Sequence, residues 1–66
     1  MQIIINGQTK EISQNTTLLQ LIKELNLEGK VMAAAINMEI VKKDKWDKTV
    51  LKEDDKIELL DFVGGG

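Results

Sequence analysis

The chain has 66 residues, of which 42% are hydrophobic and 30% charged, so it can form one small globular domain with a thin core. It has no Cys, His or Pro, which excludes disulfides, thiolate or histidine metal sites and triads with a histidine base. A net charge of −2 disfavours broad binding of nucleic acid. The short apolar runs and the lack of a basic N-terminal region predict a cytoplasmic protein without a membrane span.

The first predicted element is a β-hairpin. Residues 1–5 are rich in β-branched side chains, and the pair Asn6-Gly7 follows them. A two-residue type I′ turn needs positive φ at both central residues, and this pair adopts it readily. We expect residues 8–12 to return as the second strand.

A single amphipathic helix comes next. Thr17 stands three residues before Gln20, which is the spacing of a capping box at a helix start. The predicted buried stripe consists of Leu18, Leu21, Ile22 and Leu25. The pattern indicates two to three turns that end within residues 26–29.

The second half of the chain is predicted to contain three strands. They cover residues 31–36, 40–41 and 57–63. Residues 31–36 are apolar without alternation, which indicates a central strand that the helix covers on one face. Residues 42–52 are irregular, and the indole of Trp46 is expected to cover one end of the core. An acidic turn at residues 53–55 precedes the last strand.

The order of these elements is that of a ubiquitin-like β-grasp, an α+β fold. We predict a mixed sheet of four to five strands packed on one main helix. The domain is expected to cover residues 1–63, with a flexible glycine tail at residues 64–66. Other small α+β arrangements have the same element order and stay open.

Three consecutive glycines, Gly64, Gly65 and Gly66, are the most informative feature of the sequence. They carry no side chain that obstructs a narrow channel, and three extended residues reach roughly 10 Å beyond the domain. The terminal carboxylate is an anion at neutral pH, so it can attack the α-phosphate of ATP in a partner's active site. The product is an acyl-adenylate that is activated for attack by sulfur. The alternative interpretation is a frayed end without a function.

Alternation along the last strand divides its side chains between two faces. We assign Ile57 and Leu59 to the core, which leaves Leu60 and Phe62 as an apolar patch beside the tail. For Phe62 the alternative is a position folded over the edge of the core. Lys43 is a candidate rim contact for an acidic partner.

Taken together, these residues resemble the ThiS family, the small sulfur carriers of thiamine biosynthesis. The most specific part of the likeness is residues 57–66, a strand followed directly by the glycines. Further matching positions are Asn6-Gly7, Ala35-Ile36-Asn37, Glu39-Ile40-Val41 and Trp46. The chain departs from the family pattern at Met38, where members often have Gly, and at Lys42-Lys43, where they often have Pro-Arg.

The resemblance implies a carrier on which partner enzymes act. A ThiF-like adenylating enzyme, with its own ATP and magnesium, activates the Gly66 carboxylate. A persulfide that a cysteine desulfurase derives from cysteine then converts the adenylate to a thiocarboxylate. A ThiG-like thiazole synthase receives the sulfur. The remaining implied roles are entry into the partner's active site for Gly64 and Gly65, and docking for Leu60, Phe62 and Val63.

Three other functions stay open. The small subunit of molybdopterin synthase, a MoaD-like carrier, has the same fold, tail and thiocarboxylate. A ubiquitin-like protein modifier is joined through Gly66 to lysines of its targets, whereas a non-catalytic interaction module has an inert tail. For the carrier we expect no enzymatic activity, no cofactor bound by the chain itself, and neither a nucleic acid nor a membrane as a partner.

Overall fold

The computed structural model describes residues 1–61, with Asp61 as backbone only. The strands in this range are β1 (Gln2–Ile5), β2 (Gln8–Glu11), β3 (Val31–Ile36), β4 (Glu39–Val41) and β5 (Lys56–Asp61), and the α-helix, α1, spans Leu18–Glu24. The predictions for Phe62, Val63 and the tail at residues 64–66 lie outside the described residues.

The strands form a single mixed sheet in the order β2-β1-β5-β3-β4. β5 runs parallel to β1 and antiparallel to β3, and both hairpins are antiparallel. β3 lies inside the sheet between β5 and β4, whereas the middle position belongs to β5. The sheet therefore confirms the predicted β-grasp arrangement of strands on one main helix.

Both hairpins turn through residues with positive φ. In the turn between β1 and β2, Asn6 has φ 48° and Gly7 has φ 87°, as the predicted type I′ turn requires. In the turn between β3 and β4, Asn37 has φ 51° and Met38 has φ 73°. Met38 thus occupies a backbone conformation that favours glycine, because its Cβ crowds the neighbouring carbonyl there.

The helix α1 begins with the predicted capping box. The hydroxyl of Thr17 accepts a hydrogen bond from the Gln20 N–H at 3.2 Å, and the Gln20 side chain accepts one from the Thr17 N–H at 2.9 Å. The helix ends at Glu24, earlier than predicted, because Asn26 takes a left-handed φ of 59° and donates its N–H to the Lys23 carbonyl. Within residues 1–61, no helix is long and apolar enough to cross a membrane.

One hydrophobic core lies between α1 and the sheet. Its buried members are Ile3, Ile12, Leu18, Leu21, Ile22, Val31, Ala34, Trp46, Leu51, Ile57 and Leu59. Three of the four residues of the predicted helical stripe are fully buried, and Leu25 is partly buried against the same cluster. Ile57 and Leu59 both face this core, which confirms the assignment of faces along the last strand.

The segment around Trp46 is more regular than predicted, because residues Lys43–Lys48 form a 3-10 helix. Trp46 is 5% exposed, and its indole Nε1–H donates to the Val41 carbonyl at 2.9 Å. A buried indole needs such a partner, and the tight helical turn brings the ring into reach of it. The prediction that Trp46 covers one end of the core is confirmed.

The acidic segment at residues 53–55 forms the predicted turn before β5. Asp54 has φ 66°, and the carboxylate of the buried Asp55 accepts hydrogen bonds from the Lys52 N–H at 2.8 Å and the Asn37 side-chain amide at 3.0 Å. These bonds link the start of β5 to the turn between β3 and β4.

We expect Met38→Gly to raise the free energy of unfolding by about 1 kcal/mol, because it removes the cost of a left-handed non-glycine residue. The Met38 side chain is 89% exposed, so the substitution removes almost no packing contacts. Urea unfolding of the two proteins measures the difference. Met32→Gly is the matched control, since Met32 is an exposed methionine within β3, where glycine weakens the strand. A stability of Met38→Gly at or below that of the wild type contradicts the strain at this turn.

Candidate functional site

The end of β5 is the last described part of the chain before the glycines. Ile57 is fully buried and Leu59 is 8% exposed on the core face, whereas Leu60 is 58% exposed on the opposite face. This is the predicted alternation, and it places an apolar side chain in solvent close to the tail. Of the predicted docking residues, Leu60 is therefore positioned as expected, while Phe62 and Val63 are not described.

A shallow groove lies beside Leu60 on the face of the sheet that points away from α1. It is lined by Asn6, Ala33, Ala34, Ala35, Ile40, Glu58, Leu59 and Leu60. Ala33 stands opposite Leu60 in the strand register, and Ala35 stands between Glu58 on β5 and Ile40 on β4. We call this the outer groove.

The concave shape of the outer groove follows from side-chain size. β3 contributes only methyl groups, from Ala33 and Ala35, whereas the neighbouring strands contribute the larger Leu60 and Ile40. Ile40 is 72% exposed. Large apolar side chains that a monomer leaves in solvent around a shallow depression are typical of a surface that binds another protein.

Lys43 does not line the described part of the outer groove. Its ammonium lies 5.7 Å from the centre of the Trp46 ring, so the side chain is directed toward the indole. Val41 and Leu59 both pair with Ala34, so they lie in one row across the sheet. The strands β4 and β5 run in the same direction, and Lys43 follows Val41 just as Asp61 follows Leu59. Lys43 therefore lies at the same end of the sheet as the end of β5, but outside the groove.

The side chain of Asn6 has a role that the sequence analysis did not predict. Its Oδ1 accepts a hydrogen bond from the Leu59 N–H at 2.9 Å, and its Nδ2 donates to the Leu59 carbonyl at 3.4 Å. The sequence analysis explained Asn6 only by the backbone conformation of the turn. The available signal was the residue type, because the amide offers both a donor and an acceptor, whereas the carboxylate of an equally turn-compatible Asp offers acceptors only.

Ala33, Ala35 and Ile40 were also missed as surface residues. Residues 31–36 form an apolar run in which three alanines follow one another, so no alternation in the sequence showed which of them face outward. Among residues 1–61, no three potential metal ligands lie close enough together to hold a metal ion. What the described site offers is an apolar contact surface, with Glu58 as the charged residue in its lining.

Comparison with known proteins gives matches over nearly the whole chain. The model of the ThiS family matches residues 3–66. The sulfur carrier protein ThiS of Escherichia coli is 30% identical over 66 residues, which cover both chains completely. The crystal structure of the thiamine biosynthesis protein ThiS from Geobacter metallireducens superposes with a TM-score of 0.83 at 26% identity, again over the full length of both chains.

A different kind of match is the thiazole synthase of Paramagnetospirillum magneticum, which is 33% identical over all 66 residues. The chain spans only 20% of the length of that protein. The full-length structural match confirms the β-grasp fold, and the family model includes the glycine ending. The chain therefore belongs to the ThiS family, the sulfur carriers of thiamine biosynthesis.

Proposed function

We propose that the carboxylate of Gly66 is the group on which this chain carries sulfur. In the first step the carboxylate attacks the α-phosphate of ATP bound to a partner, pyrophosphate leaves, and an acyl-adenylate forms. Hydrosulfide then attacks the acyl carbon and displaces AMP, which yields the thiocarboxylate. When a persulfide attacks instead, AMP leaves and an acyl disulfide forms, and a thiol reduces its S–S bond to give the thiocarboxylate and a new disulfide. The observation that carries this proposal is the match to the ThiS family over residues 3–66, which includes the three glycines.

The outer groove is the proposed docking surface for the partners. Leu60 precedes Gly66 by six residues, and six fully extended residues span at most about 20 Å. A partner whose active site receives the carboxylate must therefore contact the domain close to Leu60. The exposed apolar lining of the groove favours such a contact, because burying it removes hydrocarbon from water.

The remaining predicted contacts extend this surface. Phe62 and Val63 follow Leu60 in sequence and are proposed to pack against the same partner, while Gly64 and Gly65 enter its active site. Lys43 lies at the same end of the sheet, and we propose it as a contact for an acidic side chain at the rim.

The proposed receiver of the sulfur is a thiazole synthase. In the thiazole synthases of Paramagnetospirillum magneticum and Magnetococcus marinus, a region similar to this whole chain is part of the same polypeptide. Two regions within one polypeptide meet at a high effective concentration, which supports a productive contact between them. The other proposed partners are a ThiF-like adenylating enzyme, which holds ATP and magnesium, and a persulfide donor supplied by a cysteine desulfurase. The chain itself is proposed to act in the cytoplasm as a carrier without a bound cofactor or catalytic activity.

The proposal predicts a change in the intact mass of the protein. After incubation with ATP, sulfide and a ThiF-like enzyme, the mass is expected to rise by the difference between one sulfur and one oxygen atom. The variant that lacks Gly66 is the control and should not change, because its shortened tail ends before the position that the partner activates. The mass spectrum of the intact protein measures both.

An unchanged mass, with an activating enzyme proven on another carrier, contradicts the sulfur-carrier proposal. Adducts of the chain with lysines of other proteins on a denaturing gel indicate a protein modifier instead. If the chain instead delivers its sulfur as the small subunit of molybdopterin synthase, the carrier chemistry stays the same but the receiver is different.

Leu60→Ser tests the docking surface. Complete burial of a leucine contributes roughly 1.5–3 kcal/mol, and about 1.4 kcal/mol corresponds to a factor of ten, so we expect KM for the carrier to rise about tenfold. Because Leu60 is 58% exposed in the free domain, the free energy of unfolding should change little. Steady-state kinetics of adenylation measures KM.

Met38→Gly is the matched control for the docking test. It removes a larger exposed apolar side chain at the other end of the sheet, where Asn37 bonds the first residue of β5. Its KM should equal that of the wild type. A KM of Leu60→Ser as low as that of the control excludes Leu60 from the docking surface.

A further inference from the structure

Two asparagines occupy equivalent positions in the two hairpin turns, and each of them binds the backbone of β5. Asn6 and Asn37 are the first central residues of their turns, with φ 48° and 51°. The Asn37 Oδ1 accepts from the Lys56 N–H at 3.0 Å, at the start of β5. Asn6 binds both the N–H and the carbonyl of Leu59, in the second half of the strand.

The Asn6 side chain continues a strand pairing that the backbone cannot continue. The ladder between β1 and β5 ends with Ile5 opposite Ile57, and the Asn6 N–H donates to the Ile57 carbonyl at 2.9 Å. The chain then turns away into β2. Leu59 is the next residue whose backbone groups point toward β1, because these groups alternate in direction along a strand.

The amide of Asn6 replaces the missing peptide group. It has one carbonyl oxygen and an NH₂ group, so it can accept from and donate to a single residue as a neighbouring strand does. Leu59 is 8% exposed, and backbone groups in such a position need hydrogen-bond partners. Within the described residues, the bonds of Asn6 to Leu59 are thus the last hydrogen bonds that β5 makes on the β1 side.

On the opposite side of β5, the pairing with β3 becomes irregular just beyond Leu59. Glu58 and Leu60 pair with β3, but the register of β3 shifts between Val31 and Ala33. A shift of this kind bends a strand and increases its twist. Beyond Leu59, the described end of β5 therefore pairs with an irregular part of β3, and the bonds of Asn6 to Leu59 are its last support from the β1 side.

We propose that Asn6 is a positioning residue for the loading of sulfur on Gly66. By holding the backbone of Leu59, it supports the end of β5, from which seven more residues lead to the carboxylate. The inference rests on the proposed function of Gly66. Reactions of a docked group are sensitive to small displacements, since a reacting atom that is about 1 Å out of place loses up to roughly a hundredfold in rate.

The test compares Asn6→Gly with Asn37→Gly. Glycine keeps the left-handed backbone of either turn, and each substitution removes two side-chain hydrogen bonds at one end of β5. With the ThiF-like enzyme, ATP and sulfide, we expect kcat of thiocarboxylate formation to fall about tenfold for Asn6→Gly. Asn6 also lines the outer groove, but the apolar side chains of that groove are unchanged, so KM should change less than kcat. An effect confined to KM would assign Asn6 to docking and contradict the positioning role. Asn37→Gly should keep both constants.

Asn6→Asp provides a graded variant, because it retains the acceptor for the Leu59 N–H and loses the donor to the Leu59 carbonyl. Its kcat is expected between those of Asn6→Gly and the wild type. A second measurement needs no partner enzyme. Amide hydrogen exchange of the free domain should accelerate at Leu59 in Asn6→Gly and at Lys56 in Asn37→Gly.

The outcomes separate the two proposals. If the wild type forms no thiocarboxylate, the proposed function fails, and the positioning role fails with it. If the wild type reacts and the two glycine variants have the same kcat, Asn6 has a structural role only. A lower kcat for Asn6→Gly alone, together with faster exchange at Leu59, supports the positioning role.

Discussion

The insertion of β5 between β1 and β3 is the constraint on which the described structure depends. The two hairpins are neighbours only through this strand, which pairs in parallel with β1 and antiparallel with β3. Beneath it, the fully buried Ile57 packs in the core with α1. Because β5 is the middle strand rather than an edge strand, its last described residues are held by β3 on one side and by the side chain of Asn6 on the other. In the proposed function, a partner on the outer groove contacts the end of β5 directly.

The alternation of side chains along β5 separates residues that pack in the core from those of the proposed docking surface. Leu59 contributes to the core, while the adjacent Leu60 is exposed beside the outer groove. A domain this small would lose stability whenever a partner displaced a residue that served both purposes. The two faces of one strand avoid this conflict. The methyl side chains of Ala33 and Ala35 complete the arrangement, because they leave space for a partner's side chains without opening the core.

The polar side chains near β5 organise the backbone. The carboxylate of Asp55 accepts hydrogen bonds from the turn that precedes β5 and from Asn37, while Asn6 binds Leu59. Trp46 similarly uses its one polar group to bind the Val41 carbonyl. In the proposed function, the carrier supplies a supported strand, a contact surface and a terminal carboxylate. In the proposed function, the partners supply the catalytic groups.

The sequence by itself determined the features that depend on near neighbours. Asn6-Gly7 indicated the first turn, Thr17 and Gln20 indicated the helix start, and alternation placed Ile57 inward, because each depends on φ preference, a local hydrogen bond or strand periodicity. The glycine ending likewise identified the family. Only the tertiary structure decided that β5 takes the middle of the sheet, that three strands form the outer groove, and that Asn6 binds Leu59. These contacts join residues far apart in the chain, the last pair 53 positions apart, so no local pattern could specify them.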